Sequence, residues 1–342
     1  MNRNLSFAAR RGVAGFALML AGAAVVPACA QAPRDAIAAG AFAYDRAAPL
    51  DLRDSLESVD GDVEVHAISF ASPRGGRATG LLFVPRGGAA RKPGIVQLHG
   101  APGSARSIAA GSLRLARRGA VLISVDAPFA RRGGGMVTFT AADSADHVQL
   151  IVDLQRAVDV LLARSDVDPA RIAFVGGSYG GAVGTMYAAV DPRPAAYVLF
   201  VPDGGMVSHV TDAQGQRGEQ LSGIPDAEWN RWVAAMRPVE GIGYIARAKP
   251  GSILFQNGRT DPFVPAYKAE ALHRAAGSSQ TVRWYDSGHR LPEQAAVDRY
   301  QFLHERIGTA PVTAEERAAA AAAPAPSDPV GGRRAARVME AG

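Results

Sequence analysis

Three residues that could pass one proton between them stand at the ends of apolar runs in this 342-residue chain: a serine, a carboxylate and a histidine, in that order. Ser178 lies in Gly176-Gly177-Ser178-Tyr179-Gly180-Gly181, entered by a strand-like run from Arg171 to Val175 and left by an Ala-rich helical pattern from Gly181 to Val190. That is the G-x-S-x-G elbow, a turn so sharp that the serine is strained and only small residues fit beside it. By itself the match also suits a glycine-rich turn around a buried structural serine. A hydroxyl becomes nucleophilic when a base takes its proton and a third group orients the base. His289, in Ser287-Gly288-His289, follows the last strand-like run, and Asp261, in Gly258-Arg259-Thr260-Asp261-Pro262-Phe263-Val264-Pro265, follows the one before it. Asp203, after the strand that follows Ser178, is a rival acid; Asp261 is preferred.

Such a set performs acyl transfer, which also needs backbone N–H groups aimed where charge develops on the attacked carbonyl oxygen. Tyr179, next after the serine, supplies one donor. The loop His99-Gly100-Ala101-Pro102-Gly103-Ser104 should supply the other from Ala101, because Pro102 has no N–H. His99 is read as a brace for this loop. His147 and His304 lie within helical patterns, while His66, His209 and His273 lack a matching partner in the sequence and are read as ordinary hydrogen-bonded side chains. No H-E-x-x-H or carboxylate cluster points to a metal.

The elements that must position these groups alternate. Short β-prone runs at Val63–Phe70 and Thr79–Val84 flank Ser72-Pro73-Arg74-Gly75-Gly76 and read as a hairpin. Gly94–Leu98 and Ala120–Val125 are wholly apolar, with a helical pattern from Ser107 to Arg118 between them, which indicates a parallel sheet covered on both faces. A helix over Asp143–Arg164 precedes the strand to Ser178. Strand and helix then alternate through Ala196–Val201, Ser252–Gln256, Pro265–Ala276, Thr281–Tyr285 and Pro292–Arg306. The expected class is α/β, an antiparallel start followed by a mostly parallel, doubly wound sheet in one domain over residues 61–308. Within residues 202–249, Trp229, Trp232, Val233 and Met236 give one apolar helix face, read either as a surface helix packed on the sheet or as a small helical cap over the site.

Residues 1–30 read as a signal peptide: Arg3, Arg10 and Arg11 precede an apolar run from Val13 to Val26, with Ala28-Cys29-Ala30 as the cleavage site before Gln31. The expected location is periplasmic or secreted, without a stable membrane span after cleavage; an uncleaved anchor, a twin-arginine route and lipidation at Cys29 are the minor alternatives. Cys29 is the only cysteine, so a chain cleaved after Ala30 relies on an ordinary core rather than disulfides. Removing the three arginines takes the formal charge from +5 to +2, no footprint of nucleic-acid binding. Residues 31–60 show no clear period and read as a surface leader. Residues 309–342, Ala/Pro-rich, read as a disordered tail.

The segments His99–Gly103, Gly176–Gly181, Gly258–Pro265 and Ser287–His289, in this order, resemble the serine α/β-hydrolase superfamily, in the branch joining dienelactone-hydrolase-like esterases and prolyl-oligopeptidase-like catalytic domains. The resemblance covers roughly residues 60 to 308. It implies an α/β-hydrolase fold and a serine hydrolase in which Ser178 attacks, His289 shuttles the proton and Asp261 holds the histidine, with no cofactor. The expected substrate is a small carboxylic ester; a small aminopeptidase or amidase, and a non-catalytic binding protein of the same fold, are the alternatives. Two departures limit it. Dienelactone hydrolases carry cysteine where Ser178 stands, and residues 1–60 are not expected to form the β-propeller of the oligopeptidases.

Overall fold

The computed structural model describes residues 40–324, apart from 90 and 134, together with residue 326. The expected signal peptide, the first part of the leader and the last part of the tail lie outside the described residues. In chain order the elements are β1 (Arg53–Asp60), β2 (Val63–Ala71), β3 (Arg77–Pro85), β4 (Lys92–Leu98), α1 (Ala109–Ala116), β5 (Val121–Val125), α2 (Pro128–Arg132), α3 (Ala142–Leu162), β6 (Val167–Gly177), α4 (Tyr179–Val190), β7 (Ala196–Phe200), α5 (Met206–Val210), α6 (Asp226–Met236), β8 (Ile253–Gly258), α7 (Ala266–Ala276), β9 (Thr281–Tyr285), α8 (Glu293–Ile307) and α9 (Ala314–Ala322). The strands form one sheet in the order β1-β2-β3-β5-β4-β6-β7-β8-β9. Pairing is antiparallel from β1 to β5 by way of β2 and β3, and parallel from β5 to β9.

Apolar strands with no exposed face need cover on both sides, and two clusters supply it. On one face α3, α4 and α7 pack Leu150, Leu154, Val183, Met186 and Leu272 over Val96, Phe174 and Leu199. On the other, α1 and α8 pack Leu115, Phe302 and Leu303 over Ile95, Val175 and Val198. The chain winds one way from β4 through α1 to β5 and returns through α3 to β6 on the far side of β4. The carboxyl ends of β4 and β6 therefore meet at a switch point, where open α/β sheets form their sites.

Two stretches depart from the sequence reading, which leaves a third open between two placements. The leader contains β1, whose residues are all exposed, so no buried face imprints a period on it. It is held by its ladder to β2 and by ion pairs such as Glu57 with Arg106 and Asp60 with Arg117. The tail is ordered through α9: Thr313 Oγ1 accepts from Glu316 N at 3.2 Å, and Glu316 accepts from Thr313 N at 2.8 Å and from Arg118 at 2.7 Å. A capping box and a tertiary ion pair do there what large side chains do elsewhere. Residues 202–249 pack over the start of α3 through α6, whose Trp232 is 1 % exposed and donates its indole N–H to Asp143 at 2.7 Å. No helix among the described residues is long and apolar enough to cross a membrane.

Gly80, on β3, has no room for a side chain, since a Cβ would lie 2.1 Å from the Ser124 carbonyl oxygen of β5. Gly80→Ala is expected to cost about 2–3 kcal/mol through the forced separation of the two strands. Thermal unfolding should show a midpoint lower by about 5 °C or more.

Candidate active site

Ser178 occupies the turn between β6 and α4 with φ 53° and ψ −121°, a left-handed conformation that costs a non-glycine residue about 1–3 kcal/mol. Its N–H donates to Phe200 O at 2.9 Å, and its carbonyl accepts from Ala182 N at 2.9 Å. The flanking glycines permit the turn by close approach: a Cβ on Gly176 would lie 2.3 Å from Gly180 O, and one on Gly180 would lie 2.4 Å from Leu98 O. The elbow is thus pressed against the end of β4.

His289 and Asp261 come to the same point. His289 Nε2 lies 3.0 Å from Ser178 Oγ, and His289 Nδ1 lies 2.7 Å from Asp261 Oδ2. The other carboxylate oxygen, Oδ1, accepts from Phe263 N at 2.8 Å and Val264 N at 3.0 Å, which fixes the rotamer. The two loops are stitched together, with Arg259 N donating to Tyr285 O at 2.9 Å and Thr260 N to Ser287 O at 3.1 Å. The Asp261 side chain is 1 % exposed and that of His289 is 22 % exposed, so the acid is sealed while the imidazole reaches the surface. Phe263 closes edge-on against the imidazole, with ring centroids 5.0 Å apart.

The rival acid is elsewhere. Asp203 Oδ2 lies 2.6 Å from His209 Nδ1, and that carboxylate raises the pKa of His209. His209 therefore does have a partner, as do His66 with Asp54 at 2.6 Å and His273 with Asn257 at 3.1 Å. Among the described residues, none of these makes the hydrogen bond to Ser178 that His289 makes.

The loop after β4 lies against the serine: a Cβ on Gly100 would be 3.3 Å from Ser178 Cβ. His99 ties this loop to the end of β5, with Nδ1 2.8 Å from Gly100 O and Nε2 accepting from Ala127 N at 3.0 Å. Since Nε2 accepts, the proton sits on Nδ1, and burial lowers the pKa and keeps the ring neutral. Ala101 follows, half-buried. Tyr179 is the first residue of α4, where the backbone N–H has no partner within the helix and adds to the positive end of its dipole. Its ring packs against Phe129, which packs in turn on His99, at centroid distances of 5.4 and 5.6 Å. Among the described residues no group of three His, Cys, Asp or Glu side chains is placed to hold a metal.

Several residues near the site gave no sequence signal because each matters through a distant partner. Asp143 receives Thr138 N, Phe139 N and the Trp232 indole. Glu240 accepts from Ser208 N at 3.1 Å and from Val207 N, and so holds the first turn of α5, which carries His209.

The acetyl xylan esterase (AXE1) family model matches residues 43–214, and the prolyl oligopeptidase family model matches residues 132–306. No curated protein matches the sequence. Among solved structures, an acetyl xylan esterase from Paenibacillus sp. R4 superposes with TM-score 0.60 at 19 % identity, covering 81 % of this chain and 93 % of that one. Acetyl xylan esterase 1 from Thermoanaerobacterium sp. JW/SL YS485 gives 0.63 at 17 %, covering 80 % and 93 %. A glucuronoyl esterase from Solibacter usitatus gives 0.54 at 15 %, covering 80 % and 91 %. At these identities the structures share the fold.

Burial pushes the Glu240 carboxyl up to about 7. A carboxyl whose pKa is raised on folding contributes most stability when it is protonated in both states, below the unfolded value, and loses that contribution as pH rises through the folded value. Glu240→Gln stays neutral throughout. Its melting temperature relative to the parent protein is therefore expected to rise between pH 5 and pH 8, as read by thermal unfolding at each pH; a difference that is flat with pH would contradict it.

Proposed function

The chain belongs to the serine α/β-hydrolase superfamily, in the branch covered by the acetyl xylan esterase (AXE1) and prolyl oligopeptidase families, and we propose that this carboxylic-ester hydrolase works through an acyl-enzyme on Ser178. The observation that carries the assignment is the continuous line from Ser178 Oγ to His289 Nε2 at 3.0 Å and from His289 Nδ1 to Asp261 at 2.7 Å. His289 takes the hydroxyl proton as Oγ attacks the ester carbonyl. The backbone N–H groups of Tyr179 and Ala101 receive the oxyanion. Collapse of the tetrahedral species breaks the bond to the alcohol, which leaves with the proton from His289. Water then gives a proton to the same nitrogen, attacks the acyl carbon and frees the acid and Ser178. Asp261 holds the imidazole with Nδ1 protonated and Nε2 facing the serine.

The family's name and the esterases among its structural neighbours support a short acyl group, acetyl first, on a carbohydrate hydroxyl. The match to the prolyl oligopeptidase family supports a second reading as a small aminopeptidase or amidase. Turnover of p-nitrophenyl acetate against aminoacyl nitroanilides separates the two. Residues 1–30, as an export signal, would place the enzyme in the periplasm or outside the cell.

A fluorophosphonate probe is expected to label Ser178, located by peptide mass. Ser178→Ala and His289→Ala should each lower kcat on p-nitrophenyl acetate by ~10⁴-fold or more, and Asp261→Asn by on the order of 10⁴-fold, with folding retained. Labelling at another serine would overturn the assignment. The exported protein should begin at Gln31 by intact mass; a lipidated Cys29 would show as a heavier N-terminal peptide instead.

A further inference from the structure

The two N–H groups assigned to the oxyanion stand on different elements, Tyr179 on α4 and Ala101 in the loop after β4. Side chains from both elements meet on one ring. Phe129, 5 % exposed, lies edge-on to Tyr179 with centroids 5.4 Å apart at 73°, and edge-on to His99 at 5.6 Å and 88°. Both distances fall where edge-to-face pairs attract. Both neighbours also adjoin the nucleophile: Tyr179 follows Ser178 in the chain, and a Cβ on Gly100, next to His99, would lie 3.3 Å from Ser178 Cβ.

Phe129 belongs to α2, whose 5 residues are too few to hold a helix by themselves. Its position is fixed from outside. Ahead of it, Ala127 N donates to His99 Nε2 at 3.0 Å, so this short segment grips His99 by backbone as well as by ring. Behind it, the Arg131 guanidinium donates to Arg77 O of β3 at 3.0 Å and to Asp153 Oδ2 of α3 at 2.7 Å. The Asp153 side chain is wholly buried and that of Arg131 is 11 % exposed. A buried ion pair often adds no net stability over apolar side chains of similar volume, but its directional hydrogen bonds fix an alignment that apolar contact leaves free. In a close-packed interior, a ring held in this way holds its neighbours too.

We propose that Phe129 is a positioning residue for the oxyanion hole: its ring, carried by α2 and pinned through Arg131 to Asp153, sets the spacing of the Tyr179 and Ala101 N–H groups. The assignment rests on the reading of Ser178 as nucleophile and adds to it a residue that touches neither the ester nor the hydroxyl. Its effect falls on the transition state, because the oxyanion exists only once the serine has attacked. A misplacement of about 1 Å in such a site can cost on the order of 100-fold in rate.

The test compares kcat/KM for p-nitrophenyl acetate with that for its thiono analogue, in which sulfur replaces the carbonyl oxygen. Sulfur accepts hydrogen bonds poorly, so the two N–H donors favour the oxygen ester, while the serine and histidine act alike on both. The parent is expected to favour the oxygen ester beyond the ratio of the two hydroxide-catalysed rates. Phe129→Leu should lower kcat/KM for the oxygen ester by about tenfold and leave the thiono ester within about twofold, so that the ratio falls. Phe129→Met, whose thioether can still contact both rings, should lower it less. Leu303→Ala, a core change on the opposite face of the sheet, should lower the melting temperature and leave the ratio at the parent's value. A ratio unmoved in Phe129→Leu, or one that falls as far in Leu303→Ala, would overturn the proposal, and so would a parent ratio no greater than that of hydroxide. If Phe129→Leu does not fold, Phe129→Met decides, a ratio equal to the parent's counting against Phe129. Failure of the parent to turn over either ester, with no probe labelling at Ser178, would sink the nucleophile reading itself, a result distinct from a labelled, active protein with an unmoved ratio.

Discussion

The structure depends on one contact: the first turn of α4 pressed against the end of β4. Gly180 sits so close to the Leu98 carbonyl that a single added carbon would lie 2.4 Å from it. That approach forces the chain to turn from β6 into α4 within one residue, and Ser178 takes the left-handed conformation that results. The cost is local, while the return is spread along the helix, where Val183, Met186 and Tyr187 are buried against the sheet. Strain of about 1–3 kcal/mol is small beside the burial of several large apolar side chains at about 1.5–3 kcal/mol each.

That contact also decides what the serine meets. Because β4 and β6 are neighbours at the switch point, the loop after β4 has to pass over the elbow, and Gly100 arrives against Ser178. His99 then fixes the loop by joining Gly100 O to the Ala127 N–H, with no charge added beside the site. On the other side, the loops after β8 and β9 are bound to one another by backbone hydrogen bonds before either reaches the serine. The imidazole is consequently delivered by a pair of loops tied to each other, with the Asp261 carboxylate already anchored by two N–H groups. This is preorganisation in its plain sense: the geometry is set by backbone, and the side chains have little freedom left to lose.

The alternation of wholly apolar strands with amphipathic helices was legible in the sequence, and so were the serine, the acid and the histidine, because each stands at a strand end beside glycine or proline. What escaped had no local signature. The strand β1 has no buried face, so its residues carry no alternation. The helix α9 buries little and is held by Thr313, Glu316 and Arg118, a capping box joined to an ion pair nearly two hundred residues away in sequence. Trp232 and Met236 showed an apolar helix face but not its destination, which depends on Asp143 in a different element. Periodicity reports which side of an element is apolar; it does not report what that side will touch.

The choice between Asp203 and Asp261 shows where a strand-end rule stops. Both acids follow a strand of the same sheet, so position alone allowed either to orient a histidine. Each has in fact found one. Asp203 is paired with His209, which α5 brings within 2.6 Å, and its other oxygen takes the Gly205 N–H at 3.3 Å. Asp261 spends one oxygen on its own loop and keeps the other for His289. A carboxylate has few lone pairs to give, and those of Asp203 are occupied by a ring six residues away in the chain. Acids at strand ends must therefore be weighed together with the imidazoles that local turns can carry to them, because a short loop closes at a lower entropic cost.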